Sequence, residues 1–319
     1  MKFLYFTDLH YRGTSPRARK DDFPKALEAK LAEIFELARR HRVTAILSGG
    51  DDTDRPDPNI SVLLKLADVL KQAPVPIYTV AGNHSIFGYN PDTLSRSILG
   101  VLEAFEVIKV IRPGESVYFT GLKDVLVTGY GFDATVDVDG HEYRTPVQPG
   151  TVNIHIVHGM LLKESAPYGK FTLVKDVQTE ANVVLTGHDH HGYGLIRRPD
   201  GKIFVNPGGV ARLTASAVDM ERPVRVALLD IQPNFIDVNL IPLESAKPGD
   251  EVLDRSHLDA AALKEEKMAE FLALLDGQDE ARFMDIQDII TSVAKMEQLP
   301  KDVVNDALER ISRAREAAK

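Results

Sequence analysis

The sequence predicts an α/β fold in which short buried strands alternate with helices. Short apolar runs rich in aromatic or β-branched residues, such as KFLYF at Lys2–Phe6, recur between polar loops. Segments with apolar residues at helical spacing separate several of these runs. Five of the predicted strands also end in Asp, Asn or His, mostly beside Gly. Because sites in open α/β sheets gather at the carboxyl ends of strands, this pattern supports both the fold class and a functional site.

The first part of the chain alternates regularly between strands and helices. After Lys2–Phe6 and a polar loop, a helix is expected from about Phe23, because Asp21 or Asp22 can cap it and Pro24 suits its first turn. The next predicted elements are a strand at Val43–Leu47, a helix at Ser61–Gln72, a strand at Pro76–Val80 and a helix at Leu94–Phe105.

Short strands dominate the middle of the chain, and helices dominate its end. The stretch Lys247–Asp250 contains Pro and Gly, which predicts a linker. We therefore divide the chain into an α/β domain over residues 1–246 and a helical C-terminal region over residues 247–319. The predicted strands are Glu106–Ile111, Ser116–Phe119, Val125–Thr128, Val152–Val157, Asn182–Leu185, Tyr193–Arg197, Ile203–Asn206, Val224–Ile231 and Ile236–Pro242, and the last helices lie near Leu258–Leu275, Phe283–Met296 and Lys301–Ala317.

The composition is that of a globular protein without membrane segments. Of the 319 residues, 44% are hydrophobic and 27% are charged. The sequence contains no run near the roughly 20 apolar residues that a membrane span needs, and its start lacks the apolar core of a signal peptide. The chain has no Cys, which excludes disulfides, thiolate metal sites and cysteine nucleophiles. We expect a cytoplasmic protein.

The net charge of -9 is concentrated near the end of the chain. Residues 250–319 hold 17 Asp and Glu residues but only 10 Lys and Arg residues. Contacts to nucleic-acid phosphates need clustered Lys and Arg, so this chain does not resemble a free-standing binder of duplex DNA. Phosphate chemistry is not excluded, because bound metal ions can reverse the local field.

The residues that end the five strands are of the types that bind divalent metals. Carboxylate and amide oxygens and imidazole nitrogens suit hard and borderline cations, and glycines let the backbone turn sharply where side chains must converge. We therefore predict a metal centre at this edge. In chain order the motifs read Asp8-Leu9-His10, Gly50-Asp51, Gly82-Asn83-His84, His158-Gly159 and Gly187-His188-Asp189-His190.

These residue types favour a site for two metal ions that acts on phosphate esters. In a two-metal site the ions lie about 3.5–4 Å apart and stabilise both the attacking and the leaving oxygen. Such a site needs one bridging carboxylate, and Asp51 is the natural candidate. With Asp8 and Asp51 as its carboxylates, the loaded site keeps a net positive charge, which suits a phosphate substrate.

The joint motif set resembles that of the calcineurin-like metallophosphoesterases over roughly residues 1–243. This resemblance implies a four-layer α/β/β/α sandwich and hydrolysis of phosphodiester bonds by a metal-bridging hydroxide. The expected ions are manganese, with iron or zinc as alternatives. His84 is implied to be catalytic, facing the substrate and assisting the leaving oxygen. The resemblance assigns one metal to Asp8, His10, Asp51 and His190, and the second to Asp51, Asn83, His158 and His188.

Within that family the chain looks most like the SbcD-type nuclease subunits of DNA repair. The stretch Asp51–Asp54 followed by Pro, and the turn at Asn206–Gly209, are similar to theirs. The resemblance implies DNA as substrate and an SbcC-like coiled-coil ATPase as partner. The chain departs from the family pattern at Ser85, where an Asp is usual, and in its short, helical C-terminal region.

Several alternatives remain open at this stage. The chain can instead be a phosphodiesterase or phosphatase for a small nucleotide or another phosphorylated metabolite, or a non-catalytic scaffold. The apolar stripes of the C-terminal helices can dock a partner, form a homodimer contact or pack on their own domain. We interpret Asp52 and Asp54 as solvated loop acids, with a supporting role around the metals as the alternative.

Overall fold

The computed structural model describes residues 1–167, 169–256 and 299–317, together with Lys267, Ile290, Thr291 and residues 293–295. The strands are β1 (Lys2–Phe6), β2 (Ala45–Ser48), β3 (Ile77–Thr79), β4 (Lys109–Val110), β5 (Ser116–Phe119), β6 (Val125–Tyr130), β7 (Val152–Gly159), β8 (Leu161–Leu162), β9 (Thr172–Leu173), β10 (Val183–His188), β11 (Gly194–Arg197), β12 (Ile203–Asn206), β13 (Arg225–Ile231) and β14 (Ile236–Pro242). The helices are α1 (Phe23–His41), α2 (Ile60–Leu70), α3 (Ile98–Ala104), α4 (Ala217–Glu221), α5 (Gly249–Val252) and α6 (Lys301–Ala317).

Two six-stranded sheets carry the fold. The first has the order β14-β13-β1-β2-β3-β4, and β1 to β4 are parallel to one another. The second has the order β11-β12-β10-β7-β6-β5, and its four central strands are parallel. Antiparallel strands therefore lie only at the margins of the sheets, and the parallel strands bring their carboxyl ends to a common edge in each sheet.

The two sheets pack face to face through an apolar layer. Phe3, Tyr5 and Leu47 of the first sheet lie in one buried cluster with Ile154 and Ile156 of the second. Such alternation follows from the strand repeat of two residues, which sends every second side chain to the same face. The other face of the first sheet is covered by α1, α2 and α3. On the other face of the second sheet lie a 3₁₀ turn at His141–Tyr143 and the β8–β9 pair.

The α/β fold class with paired sheets and a helical C-terminal segment is confirmed. Helix α1 begins where predicted, and Asp22 is its cap, because its carboxylate accepts from the Lys25 amide at 3.2 Å. The single helix predicted over Leu94–Phe105 is wrong. The chain instead forms a 3₁₀ turn at Pro91–Arg96 followed by α3, because the Ser97 side chain caps α3 and interrupts the ladder.

The chain divides into two compact units, Met1–Leu253 and Asp254–Lys319. The stretch predicted as a linker leads into α5, where Val252 and Leu253 are buried against Ala18 and Ala215. The division into domains between residues 246 and 247 stays a prediction.

The predicted helix Lys301–Ala317 is present as α6. The helices predicted near Leu258–Leu275 and Phe283–Met296 fall largely outside the described residues. In the described part of the chain, no helix combines the length and the apolar character needed to cross a membrane.

His155 of β7 is a buried group whose ionisation should affect stability. Its ring lies 2.8 Å from the Thr128 hydroxyl through Nδ1 and 2.8 Å from the Glu142 main-chain oxygen through Nε2. Since a carbonyl only accepts, Nε2 carries the proton, and the neutral ring satisfies both contacts. Burial lowers the pKa of His155 from 6.5 to about 4, although both hydrogen bonds act in the opposite direction.

We expect the His155→Gln variant to show a flatter dependence of stability on pH between pH 6.5 and 4. In this window the unfolded chain binds a proton that the folded chain excludes, so the free energy of unfolding falls as the pH falls, by about 1.4 kcal/mol per pH unit at most. The glutamine amide can still donate to the Glu142 oxygen. Urea unfolding at a series of pH values measures the effect, with His41→Gln as control. Parallel curves for the wild type and His155→Gln would contradict this account.

Candidate metal centre

The structure brings together the ends of five strands from both sheets. Asp8 and His10 follow β1, Asp51 follows β2, and Asn83 and His84 follow β3, which are neighbours in the first sheet. His158 and His188 lie at the ends of the paired strands β7 and β10, and His190 comes just after. Three groups of side chains result whose ligand atoms lie within 4.8 Å of one another: Asp8, His10 and His190; Asp51, His158 and His188; and His10, Asp51 and His84.

An unusual backbone conformation aims these side chains inward. Asp8, His10, Asp51 and His188 all have positive φ angles, of 52°, 44°, 50° and 76°. Residues with a Cβ seldom adopt this region, and each such residue costs about 1–3 kcal/mol. The β1 and β2 loops hold each other there, since the Asp8 amide donates to the Gly50 oxygen at 3.1 Å and the His10 amide to the Asp51 oxygen at 2.9 Å. Among the described residues, four of the eight non-glycine residues with positive φ are predicted ligands.

The first group surrounds His10. Its Nε2 atom lies 3.0 Å from Nε2 of His190 and 3.8 Å from a carboxylate oxygen of Asp8. Nε2 of His190 is 3.5 Å from the same Asp8 oxygen. Asp51 also faces this group, with Oδ2 at 3.8 Å from Nε2 of His10. Imidazole nitrogens and carboxylate oxygens that face one another at these distances form a suitable donor set for one divalent ion.

The second group lies on the other side of Asp51. Oδ2 of Asp51 is 3.3 Å from Nε2 of His158, and that nitrogen is 3.1 Å from the Asn83 side-chain oxygen. Nδ1 of His158 donates to the Gly49 oxygen at 2.7 Å, which fixes the ring with Nε2 facing the carboxylate. The main-chain amide of His188 donates to both carboxylate oxygens of Asp8, at 3.2 and 3.1 Å. Oδ2 of Asp51 thus faces a ring nitrogen in each group, His10 in the first and His158 in the second.

The polar atoms at the centre fit cations. Asp8 and Asp51 are both completely buried, and Oδ2 of Asp51 receives no hydrogen bond from any described residue. A buried carboxylate without a partner is costly, whereas divalent ions would neutralise both groups. The residues that would hold the ions are those the sequence predicts: Asp8, His10 and His190 with Asp51 for one, and Asp51, Asn83, His158 and His188 for the other. Their role as ligands stays a prediction.

The carboxylates also perturb the neighbouring rings. Burial lowers the pKa of His158, but the negative charge of Asp51, 3.3 Å away, outweighs it and raises the pKa to about 9. For His10 the same competition of burial against Asp54, Asp8 and Asp51 raises the pKa to about 10. Burial and the nearby His158 instead lower the pKa of His188 to about 4. The centre therefore concentrates negative potential, as a cation site requires.

His84 lies at the open side of the centre and is half-buried. Its main-chain amide donates to Oδ1 of Asp51 at 2.9 Å, and its ring packs edge-on against His10, with centroids 4.7 Å apart. Nδ1 of His84 donates to the Asp54 main-chain oxygen at 2.7 Å. Nε2 is consequently the nitrogen left to face a substrate.

The interpretation of Asp52 and Asp54 as solvated loop acids is wrong. Asp52 is buried and accepts hydrogen bonds from the hydroxyls of Ser48 at 2.7 Å and Thr79 at 2.6 Å, which fastens the β2 loop to β3. The Asp54 carboxylate lies 3.6 Å from Nδ1 of His10, so it helps to orient that ring. The spacing of acids in the motif could not reveal these roles, because Thr79 and His10 come from other segments of the chain.

Two features beside the predicted ligands carry no sequence signal of their own. The Phe132 ring lies 5.4 Å from the His188 ring and 6.2 Å from the His158 ring. Tyr89 packs edge-on against Phe132 at 5.4 Å and is 55% exposed. On another side, Nη1 of Arg12 is 3.2 Å from the Asp54 carboxylate. The loops after β3 and β6 thus add an aromatic surface, and the loop after β1 adds a cation.

Ser85, which stands where the family usually has Asp, supports the turn before it. Its side chain is completely buried, and its hydroxyl accepts from the Gly82 amide at 3.3 Å. Gly82 is required there, since a Cβ at this position would lie 2.0 Å from Oδ1 of Asp51. The turn therefore presents Asn83 and His84 to the centre with a serine, and not a carboxylate, as the next residue in the chain.

The fold and this cluster define a metal-dependent phosphoesterase. A family model described as calcineurin-like phosphoesterase matches residues 1–192, and the chain belongs to this family. The family implies divalent metal ions, for which the clustered Asp and His residues are the candidates. No curated protein matches the sequence closely enough to count as a relative.

Solved structures with this fold share little sequence with the chain. A dimetal phosphatase from Danio rerio is 14% identical with a TM-score of 0.50, and the match covers 76% of this chain and 96% of that one. The NAD nucleotidase of Haemophilus influenzae is 14% identical, with a TM-score of 0.43, over 76% of this chain and 49% of that one. An archaeal phosphodiesterase is 12% identical, with a TM-score of 0.36, over 76% and 100%. At these identities the likeness concerns the fold alone.

We expect Asp51→Asn to lose bound metal while the chain stays folded. The substitution removes the charge that faces both groups but keeps the side-chain shape and the contact with the His84 amide. Metal analysis after loading with manganese should show two ions per wild-type chain and a clear deficit in the variant. Asp57→Asn, an exposed acid on the same loop, is the control. Full metal content in Asp51→Asn, or none in the wild type, would contradict the assignment.

Proposed function

We propose that this phosphoesterase cleaves phosphodiester bonds in DNA, as a nuclease subunit of the SbcD type. The observation that carries the proposal is the aromatic pair of Phe132 and Tyr89 beside His158 and His188. Aromatic side chains stack on unpaired bases, each stack being worth about 1–3 kcal/mol regardless of sequence. A single-stranded or frayed end would place a base on this surface and a neighbouring phosphate at the centre.

The charges around the centre also suit a phosphodiester. Arg12 comes two residues after His10, and its side chain beside the Asp54 carboxylate is one-third exposed. It can therefore contact a phosphate oxygen beside the one that reacts. The chain as a whole carries a net charge of -9, so tight binding of longer DNA has to come from a partner.

The chemistry follows from the placement of the side chains. Bound metal ions would supply Lewis acidity for activating water and neutralising phosphoryl charge. His84 holds a proton on Nδ1 through Asp54, so protonated Nε2 is the atom that can give a proton to the leaving oxygen. Asp54 orients both rings, His84 through its main-chain oxygen and His10 through its carboxylate.

We expect His84→Ala to lower the turnover number by about 10²–10⁴-fold, the usual range for removal of a general acid. Metal content should stay near that of the wild type, because the ring is anchored to Asp54 rather than placed as an expected ligand. A chromogenic diester with a good leaving group should lose less activity than a nucleotide diester, since its leaving oxygen needs less protonation. Loss of metal from this variant would make His84 a ligand and remove its proposed role.

A second candidate is a phosphodiesterase or phosphatase for a small nucleotide. The observation in its favour is a cavity of about 310 Å³ lined by Phe132, Gly131, Leu94, Ile111 and Arg112, among others. A cavity of this size can enclose one base or a similar ring, and its position next to Phe132 puts it within reach of the centre. The acidic net charge of the chain also fits a small substrate.

Phe132→Ala should separate base-containing substrates from simple ones. For single-stranded oligonucleotides we expect kcat/KM to fall roughly 5- to 150-fold, the equivalent of about 1–3 kcal/mol of lost stacking. For a chromogenic phosphodiester without a base it should change little. Phe105→Ala, at an exposed position after α3, is the control. Rapid hydrolysis of small nucleotides without DNA cleavage under any metal or partner condition would favour the second candidate.

The partner, the metal and the location extend the same proposal. We propose an SbcC-like coiled-coil ATPase as partner, docked by the C-terminal region, and manganese as the metal, with iron or zinc as alternatives for an imidazole-rich site. A homodimer contact is the other use of that region. Such a nuclease subunit would work in the cytoplasm.

The docking role of the C-terminal region is supported by an exposed apolar side chain on α6, since Val303 is 47% exposed. A chain ending at Leu253 that still binds the ATPase would refute this role.

A further inference from the structure

Four cationic side chains are buried together away from the metal centre. Arg19, Lys30, Arg212 and Arg222 surround the loop that follows β12, and the exposed fractions of their side chains or residues are only 2%, 3%, 4% and 7%. A cavity of about 270 Å³ lies among Arg19, Lys30 and Arg212, between the start of α1 and the segment around residues 245–252. Buried charges of one sign require partners, so the contacts of each cation decide what this cavity is for.

Two of the four cations are each paired with a carboxylate. Arg222 donates to the Asp219 carboxylate at 2.8 Å and to the main-chain oxygens of Gly209 and Ala211 at 2.8 and 2.7 Å. Arg19 donates through Nε and Nη2 to both oxygens of Asp21, at 2.8 and 2.7 Å. These contacts give Arg19 and Arg222 a structural role in holding the loop and the start of α1.

Lys30 and Arg212 have no such carboxylate. Nζ of Lys30 donates to one acceptor, the Val210 main-chain oxygen at 2.7 Å, although an ammonium carries three donors. Arg212 donates to the main-chain oxygens of Lys247 and Arg222, both at 2.8 Å, and its buried Nε has no acceptor. In the part of the chain that the structure describes, neither residue forms an ion pair. Holding the loop explains why Lys30 and Arg212 donate to main-chain oxygens. It does not explain the remaining N–H donors of Lys30 and the Nε of Arg212.

The acids that line the cavity are already engaged. Both oxygens of Asp21 are bonded to Arg19. The Asp22 carboxylate caps α1 through the Lys25 amide and forms an ion pair with the Lys25 ammonium at 2.9 Å. The four cations therefore exceed the two acids that pair with them, Asp21 and Asp219. The Lys25 side chain at the cavity is 79% exposed, so an ion can enter from solvent.

The mutual repulsion is visible in the ionisation of the cluster. Burial, with Arg19, Arg212 and Arg222 nearby, lowers the pKa of Lys30 to about 7. Burial and the neighbouring Arg222 and Arg19 likewise lower the pKa of Arg212 to about 10. An anion in the cavity would relieve both effects, because it would supply the missing acceptor and the missing negative charge.

We propose that this cavity is a binding site for a small oxyanion of the phosphate class, held by Lys30 and the Nε of Arg212. The ligand is either a free ion or the phosphate group of a larger molecule. The site is distinct from the metal centre, although both touch one loop. The main-chain oxygen of Val210 accepts from Lys30. The amides of Val210 and Ala211 donate to the main-chain oxygens of Thr7 at 2.9 Å and Asp8 at 3.1 Å.

The test is calorimetric titration of the full chain after metal ions are removed on a chelating resin. Removing the metal ions prevents anions from binding to them at the metal centre. With inorganic phosphate we expect saturable binding of one ion per chain. Lys30→Gln keeps a donor for the Val210 oxygen but loses the charge, and Arg212→Lys keeps the charge but loses Nε. Each should weaken binding about tenfold or more, as expected for loss of a charge-assisted hydrogen bond. Lys25→Gln, at the exposed rim, should bind nearly as the wild type.

Further arms distinguish the sources and guard against unfolded variants. A 5′-mononucleotide that binds more tightly than phosphate, with the same dependence on Lys30, would identify the phosphate group of a larger ligand. Equal or weaker binding would identify the free ion. With sulfate, whose charge is constant near neutrality, wild-type affinity should rise as the pH falls through about 7, where Lys30 gains its proton. No saturable binding, binding unchanged in both cavity variants, or pH-independent sulfate binding would each overturn the proposal.

Discussion

The structure depends on two carboxylates, those of Asp8 and Asp51, being buried side by side at the ends of neighbouring strands. Taking even one charge out of water is expensive, and two of the same sign are worse unless cations compensate them. The neighbouring side chains and main-chain amides are arranged around these two charges. Imidazoles from both sheets face these oxygens, the His188 and His84 amides donate to them, and one oxygen of Asp51 is left without a hydrogen bond. A scaffold that keeps such a charge density in place is one that binds divalent ions.

The constraint also explains where the fold accepts strain. Four predicted ligands adopt positive φ angles, which costs free energy at each residue. That cost is offset elsewhere, by the apolar layer between the sheets and by interlocking main-chain bonds between the β1 and β2 loops. Asp52 extends the same network toward β3 through two hydroxyl donors. The strands beneath the centre are packed on both faces, which holds the loops that carry these residues.

The surroundings of the centre differ from one side to the other. Phe132 and Tyr89 form an aromatic side, while Arg12 and His84 form a polar side near Asp54. A phosphodiester with a base on one side and a leaving oxygen on the other matches this arrangement. The loop after β12, on the far side of the centre, accepts hydrogen bonds from buried cations. These cations outnumber the carboxylates that pair with them. This loop therefore has the Asp8 segment of the metal centre on one side and the buried cations, such as Lys30, on the other.

The sequence by itself predicted the strands of the two six-stranded sheets, though not the β8–β9 pair, together with the fold class and the candidate ligands. Apolar runs that end in Asp, Asn or His are local signals, and parallel strands necessarily bring such ends to one edge. The helix at Leu94–Phe105 failed because the Ser97 side chain competes for the backbone, which periodicity does not report. Only the tertiary structure decided the roles of Asp52, Asp54 and Phe132 and the burial of Lys30, because each has a partner from a segment distant in the chain. Burial and pairing of a charge depend on those distant partners, and no spacing within one segment encodes them.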